Sequence, residues 1–533
     1  MADLFCFTPA KSRNNYNGDQ LVIRLHINLK QFVKLLTNGA VTRQIAQLMI
    51  VTPQLKNQHL LWRAGFGPMA EEYQQLATAT NKSYINSLFK ASAKGPEMID
   101  VADNAFKGLM MGVKEVSNAQ KRDLDEGQRR KMRQQSREDI KSLNITWLNQ
   151  MVNSEQQLRE KMALFWHGHF ASRNLNILYQ QQLLDIIRQN ALGNFGDLLR
   201  EVSKSASMLN FLNNNQNKKG HPNENFAREV MELFTMGRGN YTENDIKEAA
   251  RAFTGWGANI SGEFAFRKFQ HDDGEKTVLG KTGNYDGDDV LNILLEHKQT
   301  ATYITRKIYR YFVNDVPDEA HVTWLADRFY HNYDIKELMK DIFTSDWFYD
   351  AKNIGCRIKS PVELIVGIRR ALPMKLENEQ VQLLLQRLLG QVLFYPPNVA
   401  GWPGGKNWID SSSLMFRLRI PQLISDNDEV GLAHKDDDDE MMGMKDMAGK
   451  GMGKMGKKGG QVISAAVDWE TYLNKFEKIP REKLLSAISG ILIQGVVPVD
   501  EKILSKYVDS SSRENYIKSA TIQLMSTPEY QLC

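Results

Sequence analysis

A mainly α, large multi-helix globular fold with a small β-hairpin near 262–280 is predicted by three features of the sequence. Apolar residues recur at helical spacing between cap and turn signals along most of the chain. Strand-like alternation followed by Gly-Asp turns stands out at Glu263–Phe269. The 533 residues, 42% hydrophobic and 25% charged, suffice for a sizeable core.

Composition narrows the function classes. The net charge of +5, from 68 Lys+Arg against 63 Asp+Glu, offers no basic face for nucleic acid. Cys6, Cys356 and Cys533 match no metal or disulfide spacing, which allows a reducing compartment. The most apolar run, Leu484–Val499, is interrupted by Gly490, Gln494, Gly495 and Pro498 and falls short of the roughly 20 apolar residues a membrane span needs. No integral membrane segment is expected. The N-terminus lacks a basic region followed by an apolar one, so the expected location is cytoplasmic.

Taken in order, residues 1–48 form an atypical extension that no later segment resembles, and the helical core begins at Met49. QHLLWRAGFGPMAEEYQQLA reads as a helix stopped by Gly65 and Gly67, then a second helix entered through Pro68. Lys82–Met111 and Asn118–Asn149 read as helices, the latter with the mixed charge of a solvated face. In REKMALFWHGHFASR, Phe165, Trp166 and Phe170 read as core. His167 and His169 are two apart, so on a helix they point about 200° from each other. Helices over Tyr179–Asn190 and Phe195–Ser205 lead to an Asn-rich loop at residues 213–217.

The stretch His221–Trp256 reads as two amphipathic helices joined by a tight turn. Pro222-Asn223 starts the first, Gly237 and Gly239 end it, and Thr242 with Asp245 caps the second. At about 100° per residue, Glu224, Asn225, Arg228, Glu229 and Glu232 share one arc of about 140°. Periodicity alone favours a solvated outer face over the lining of a site.

Beyond the hairpin, whose tip carries His271, Asp272 and Asp273 with Lys276 close behind, helices resume from Val290 to Leu372. Asp286–Asp289 lacks the spacing of a calcium loop. The Pro/Gly/Trp-rich stretch around Gly401-Trp402-Pro403-Gly404-Gly405 reads as a rigid loop, serving either as a ligand wall or as a packing plug. Residues 434–460, acidic and then rich in Met, Gly and Lys, are expected to be disordered, dividing a 49–433 core from C-terminal helices (461–533) that complete it.

Several of these segments together resemble one bacterial family, domain of unknown function 1800. The resemblance rests on HLLWRAGFGP (59–68), FWHGHFAS (165–172), ALGNFGDLL (191–199), PNENFAREVMELFTMG with YTENDIKEAARAFTGW, HDDGEKTVLG (271–280), IKSPVEL (358–364), PPNVAGWPGGKNWI (396–409) and the terminal STPEYQLC. Gly168 stands where the family commonly has Asn, so no amide role is carried over to that position. The resemblance implies a mostly helical fold, a sulfatase-like partner encoded nearby, and export of some relatives. Its motif residues fall on Asn223, Glu224, Asn225, Arg228, Glu229, Glu232, His169, His271, Asp272 and Lys276, which turns the polar arc from a solvated face into a candidate site.

The expected function is hydrolysis of a polar substrate at a carboxylate/histidine site. Glu229, Glu232, His271 and Asp272 are the candidate catalytic groups, three-residue spacing placing the two glutamates on one helical face. Asn223, Asn225, Arg228, Lys276 and Trp256 are the candidate substrate-binding groups, the cations offsetting developing negative charge. His169, Glu229, Glu232 and His271 are candidate ligands for a divalent metal, the donor set suiting Zn, Mn or Fe. The alternative is a non-catalytic scaffold or assembly factor in which the same polar residues form an internal network. Residues 1–48 read either as an over-called extension of a chain that starts at Met49 or as a real, loosely packed extension; mass spectrometry of the native N-terminus decides, a first peptide at Met49 bearing out the former and peptides from residues 1–48 overturning it.

Overall fold

Capping residues set most of the helix starts. The computed structural model describes residues 51–102, 126–426, 429–430, 461–494 and 499–533, apart from 260 and 464. The expected extension (1–48) and disordered insertion (434–460) lie outside the described residues. Thr52 opens α1 (Pro53–Arg63), its hydroxyl accepting from Leu55 N at 3.2 Å just ahead of a proline at the first helical position. The helix expected after Pro68 is a single 3-10 turn, Ala70–Glu72. Asn57 Nδ2 donates to the Leu76 and Ala79 carbonyls at 2.9 Å, bonds that hold the following residues in turns. Thr80 opens α2 (Asn81–Ala91), which stops well before the predicted Met111 because Gly95-Pro96 cannot continue a helix.

Next come α3 (Glu126–Asn153), α4 (Gln157–His169), α5 (Ile177–Asn190), α6 (Phe195–Lys204) and α7 (Ala206–Phe211). α8 (Glu224–Glu229) runs directly into a π-helix, Val230–Met236, and α9 (Glu243–Ala252) starts in a Thr242/Asp245 capping box. The predicted hairpin is two separate antiparallel pairs: β1 (Trp256–Ala258) with β2 (Phe264–Phe266), and β3 (Lys276–Val278) with β4 (Lys281–Gly283). Asp286 and Asp289 form the capping box of α10 (Gly287–Glu296). α11 (Lys298–Phe312), α12 (Glu319–Tyr330), α13 (Ile335–Thr344) and α14 (Pro361–Ala371) follow.

β5 (Met374–Leu376), α15 (Val381–Leu389), α16 (Ser411–Asp426) and the short β6 (Glu429–Val430) lead up to the insertion. After it come β7 (Gln461–Val462), β8 (Ala465–Val467), α17 (Trp469–Asn474), α18 (Leu484–Leu492), α19 (Glu501–Leu504) and α20 (Arg513–Met525). β7 pairs with β6, and β8 with β5, both antiparallel. These ladders clamp the chain on either side of residues 431–460, and α20 then packs on α16. Among the described residues no helix is long and apolar enough to cross a membrane.

Two helices form the centre. Every residue of α4 except Gly168 is buried, and every residue of α14 except Arg369. A helix buried on all sides must either be apolar all round or have its charges paired. These two helices take the second course. On α4, Glu160 accepts Arg188 Nη2 at 2.6 Å and Trp147 Nε1 at 2.9 Å, and Lys161 pairs with Glu363 of α14. Trp62 wedges α1 against α14: a Cβ on Gly367 would lie 2.3 Å from its ring, and one on Gly67, at φ +94°, 2.6 Å. The GWPGG loop caps the C-terminal end of α4. Gly401, at φ +80°, leaves no room for a Cβ beside the Gly168 carbonyl, at 2.3 Å, and Trp402 packs on the His167 ring. His167 Nε2 accepts from Phe394 N at 3.1 Å, and burial pulls its pKa down to about 3. The loop is therefore a packing plug for a neutral core histidine.

Arg188 and Glu160 are both fully buried. Arg188→Ala strands the Glu160 carboxylate and is expected to lower unfolding free energy by about 3–5 kcal/mol. Urea unfolding checks this, a loss below about 1 kcal/mol counting against the pairing as a structural necessity.

Candidate functional site

Three of the predicted site residues meet at the π-helix. An α-helical register would stack Glu229 and Glu232 one turn apart, but the chain unwinds after Glu229 into the wider i→i+5 geometry. Thr235 sits inside this turn and donates its hydroxyl to the Val230 carbonyl at 2.7 Å. From α4, His169 Nε2 lies 3.2 Å from the Phe234 carbonyl, so the neutral ring donates to the π-helix from below. Burial, reinforced by Lys307, holds that imidazole far below its ordinary pKa. From α11, Tyr303 packs under Gly237, whose φ of +78° and 2.8 Å clearance to the ring admit no side chain.

The two glutamates have different surroundings. Glu232, 15% exposed, accepts from Tyr241 Oη and, at 2.8 Å, from Arg238 Nε; the tyrosine bond first and the arginine next hold it ionised below the ordinary carboxylate range. Glu229, half-buried one residue before the π-turn, is pushed up, first by burial and then by the charge of Glu232. Lys307 is pulled down by burial to about 8, its ammonium 5.4 Å from the Tyr303 ring centre, and Tyr303 is raised to about 12 by burial and by Glu232. A carboxyl raised by burial, a carboxylate held down by its hydrogen bonds and a lysine pulled down to about 8 thus surround one irregular turn. In the sequence, Lys307 and Tyr303 are legible only as residues of the α11 helix. Their role depends on α11 packing against the π-helix, which no local pattern encodes.

The remaining predicted residues are tied into the fold. Asn223 caps α8, accepting from Asn225 N at 3.0 Å, while Asn225 Nδ2 donates to Leu212 O at 3.1 Å. Arg228 grips Glu243 at the start of α9 through both terminal nitrogens, at 2.8 and 2.7 Å, and reaches Glu224 at 3.3 Å. His271 Nδ1 lies 2.9 Å from the Thr254 carbonyl. Asp272 binds the Arg251 side chain at 2.9 and 3.2 Å, and Lys276, almost wholly buried, donates to the Asp272 and Gly274 carbonyls. Trp256 is core, set against Phe253 and Phe264 with Lys204 5.3 Å from its ring centre. The Asn-rich loop also satisfies backbone: Asn214 serves Phe253 and Trp256, and Asn217 serves Ala250 and Asn223.

His271 and Asp272 therefore belong to a turn fastened to α9, while His169, Glu229 and Glu232 gather at the π-helix. Among the described residues no three His, Cys, Asp or Glu side chains are placed to hold one metal ion. The expected four-ligand set of His169, Glu229, Glu232 and His271 is not assembled, because the two histidines are committed to backbone carbonyls on different elements. The donors that could meet a cation here are the two glutamates.

Residues 59–532 match the family model described as "Protein of unknown function (DUF1800)". No curated protein and no solved structure matches the chain.

Arg251 holds the Asp272 carboxyl down from 3.8 to about 2. A depressed carboxylate lends stability that is complete above its unfolded value and lost as pH falls through the folded one. Wild type should therefore lose stability between pH 3.8 and 2, and Asp272→Asn should flatten that limb while lowering stability at neutral pH. Denaturant unfolding across the acid range reads both, and parallel curves for the two proteins would refute the assignment.

Proposed function

The chain belongs to the DUF1800 family, whose description carries no activity, and from the chain's own geometry we propose a hydrolytic enzyme working through paired carboxylates at the π-helix. The observation that carries the reading is the opposed environments of Glu229 and Glu232: burial raises one, while Tyr241 and Arg238 depress the other. Two carboxyl groups driven apart in this way divide the roles of acid and base between them. Glu229 keeps its proton longer and donates it to the leaving group. Glu232 stays ionised and either activates water or steadies developing positive charge. Lys307 and the exposed Arg238 favour a substrate carrying negative charge near the scissile bond. π-turns recur at functional sites, and Glu229 just before this one and Glu232 within it are both partly exposed.

The assembly-factor reading has its own support. Asn223, Asn225, Arg228, His271, Asp272 and Lys276 all spend their polar atoms on the protein itself, and under this reading a sulfatase-like protein is the partner.

Assays of purified protein on ester, glycoside and phosphate-ester panels, with and without added zinc or manganese, separate the two readings. Hydrolysis of at least one class is expected, with Glu229→Gln lowering kcat about 10²- to 10⁴-fold at unchanged Tm. Turnover that survives Glu229→Gln, or none across the panel, would overturn the enzyme assignment.

A further inference from the structure

The turns beside β2 expose aromatic surface and positive charge that the fold does not use. β2 sets Phe264 against Trp256, ring centres 5.2 Å apart, but leaves Phe266 44% exposed. Three residues on, in the 3-10 turn Lys268–Gln270, Phe269 is 81% exposed. Single apolar side chains at a surface are ordinary. Two phenylalanines so close in the chain, one of them with almost no packing, forgo burial that a core position would give them. The turn that carries Phe269 is firmly fixed. Arg267 N donates to Gly255 O at 2.8 Å, Gln270 N to Arg267 O at 2.8 Å and His271 N to Lys268 O at 3.1 Å. Phe269 therefore stands proud of the surface on a rigid support.

Positive charge accompanies the rings. Lys219 N donates to Gln270 O at 2.8 Å, which sets the Lys218–His221 turn against the turn of Phe269. Lys218, Lys219 and Lys268 are all exposed. Lys218 and Lys268 make no hydrogen bond or ion pair among the described residues, and Lys219 meets only Asp273, at 3.8 Å. Arg267, half-buried, donates to Ala258 O at 3.3 Å and keeps its charge unpaired by any carboxylate. The neighbouring acids are partly spent elsewhere: Asp272 on Arg251 at 2.9 and 3.2 Å, and Glu263 on Asn259 at 2.7 Å. Asp273 and Glu275 are the exposed acids of the following turn. The four cations of the two aromatic turns outnumber them.

Protruding rings among amines match the headgroup layer of an anionic bilayer. There the rings enter the boundary of the acyl chains while the ammonium groups meet phosphate and carboxylate. A stable protein partner needs about 1,200–2,000 Å² of buried surface, far more than two turns offer. A nucleic acid strand calls for cations that track its backbone along a groove, and these four sit on two short turns. We propose that the Lys218–His221 and Phe266–Gln270 turns dock the protein peripherally and reversibly on anionic phospholipid. Phe269 and Phe266 enter the interface, and Lys218, Lys219 and Lys268 contact the headgroups. The contact uses none of the residues assigned to the π-helix.

Co-sedimentation of the full chain with vesicles tests this, using phosphatidylcholine alone and phosphatidylcholine with about a third phosphatidylserine, at roughly physiological ionic strength. Binding is expected to the phosphatidylserine vesicles and not to phosphatidylcholine alone. Phe269→Ala should weaken it about tenfold, and Lys218→Gln and Lys268→Gln about fivefold each. All three positions are exposed, so Tm should stay at the wild-type value. No sedimentation with phosphatidylserine vesicles overturns the docking surface. So does binding that Phe269→Ala leaves unchanged, which would mark adsorption by charge alone, and so does equal binding to both vesicles. A fluorescent single-stranded oligonucleotide is run beside the vesicles. Tight binding of it, weakened by the same substitutions while vesicles fail to bind, would assign the surface to nucleic acid instead.

Discussion

The ion pair between Lys161 and Glu363 is the constraint on which the centre of this protein depends. It joins α4 to α14, the two helices that have almost no solvent-exposed surface. Both partners are fully buried, so neither tolerates loss of the other, and the surrounding elements must exclude water from both. Trp62 on α1 does part of this, wedged between Gly67 and Gly367, and the Lys161 ammonium also reaches the Trp62 carbonyl at 3.3 Å. Glu363 in turn completes the capping box of α14 through Ser360. One carboxylate thus starts a helix, neutralises a neighbouring helix and fixes the position of a third. α4 then carries this rigidity outward: Glu160 anchors α5 through Arg188, and His169 reaches the π-helix thirteen residues beyond Gln156.

This arrangement explains why so many charged and amide side chains of the chain prove to be internal. The central helices α4 and α14 are buried on both faces, and such helices need polar side chains that reach across to neighbouring backbone. Arg63 donates to Asn353 O, Arg159 to the Ser92, Arg188 and Gln189 carbonyls, and Arg370 to the Gly67 and Val152 carbonyls. Long donors of this kind bond several carbonyls that end helices elsewhere. The Asn214, Asn217 and Asn225 set does the same for the junction of α7, α8 and α9. Against this background Glu229 and Lys307 stand out, because both are half-buried and neither is committed to another group by a hydrogen bond or ion pair among the described residues.

The π-helix is where local pattern and tertiary structure part company. Its apolar residues, Val230, Met231 and Phe234, are buried as a 3.6-residue period predicts. The wider turn follows from constraints outside the segment: His169 takes the Phe234 carbonyl, Gln299 takes the Met236 carbonyl at 3.0 Å, and Thr235 bonds inward. The outside partners come from α4 and α11, so the widening has no signature in residues 224–236 alone. Correct burial with a different helical period was therefore the most that local reading could reach.

Much was legible from the residues alone: the mainly α class with strands near 262–280, and the capping box at Thr242. Each rests on short-range rules of capping, glycine and proline geometry, and amphipathic period. Ser360-Pro361-Val362-Glu363 carried the same signal for α14, and it also marked the glutamate that organises the core. Which polar residues pair with which was decided only by tertiary structure. A spacing of three or four residues says that two side chains share a face, but not what lies opposite that face. Arg228 and Glu229 are adjacent in sequence, yet α9 supplies Glu243 to the first, while the second meets no such partner. Charge pairing inside a protein is a long-range property set by packing, and packing alone divided the polar arc into a part tied to α9 and a part gathered at the π-helix.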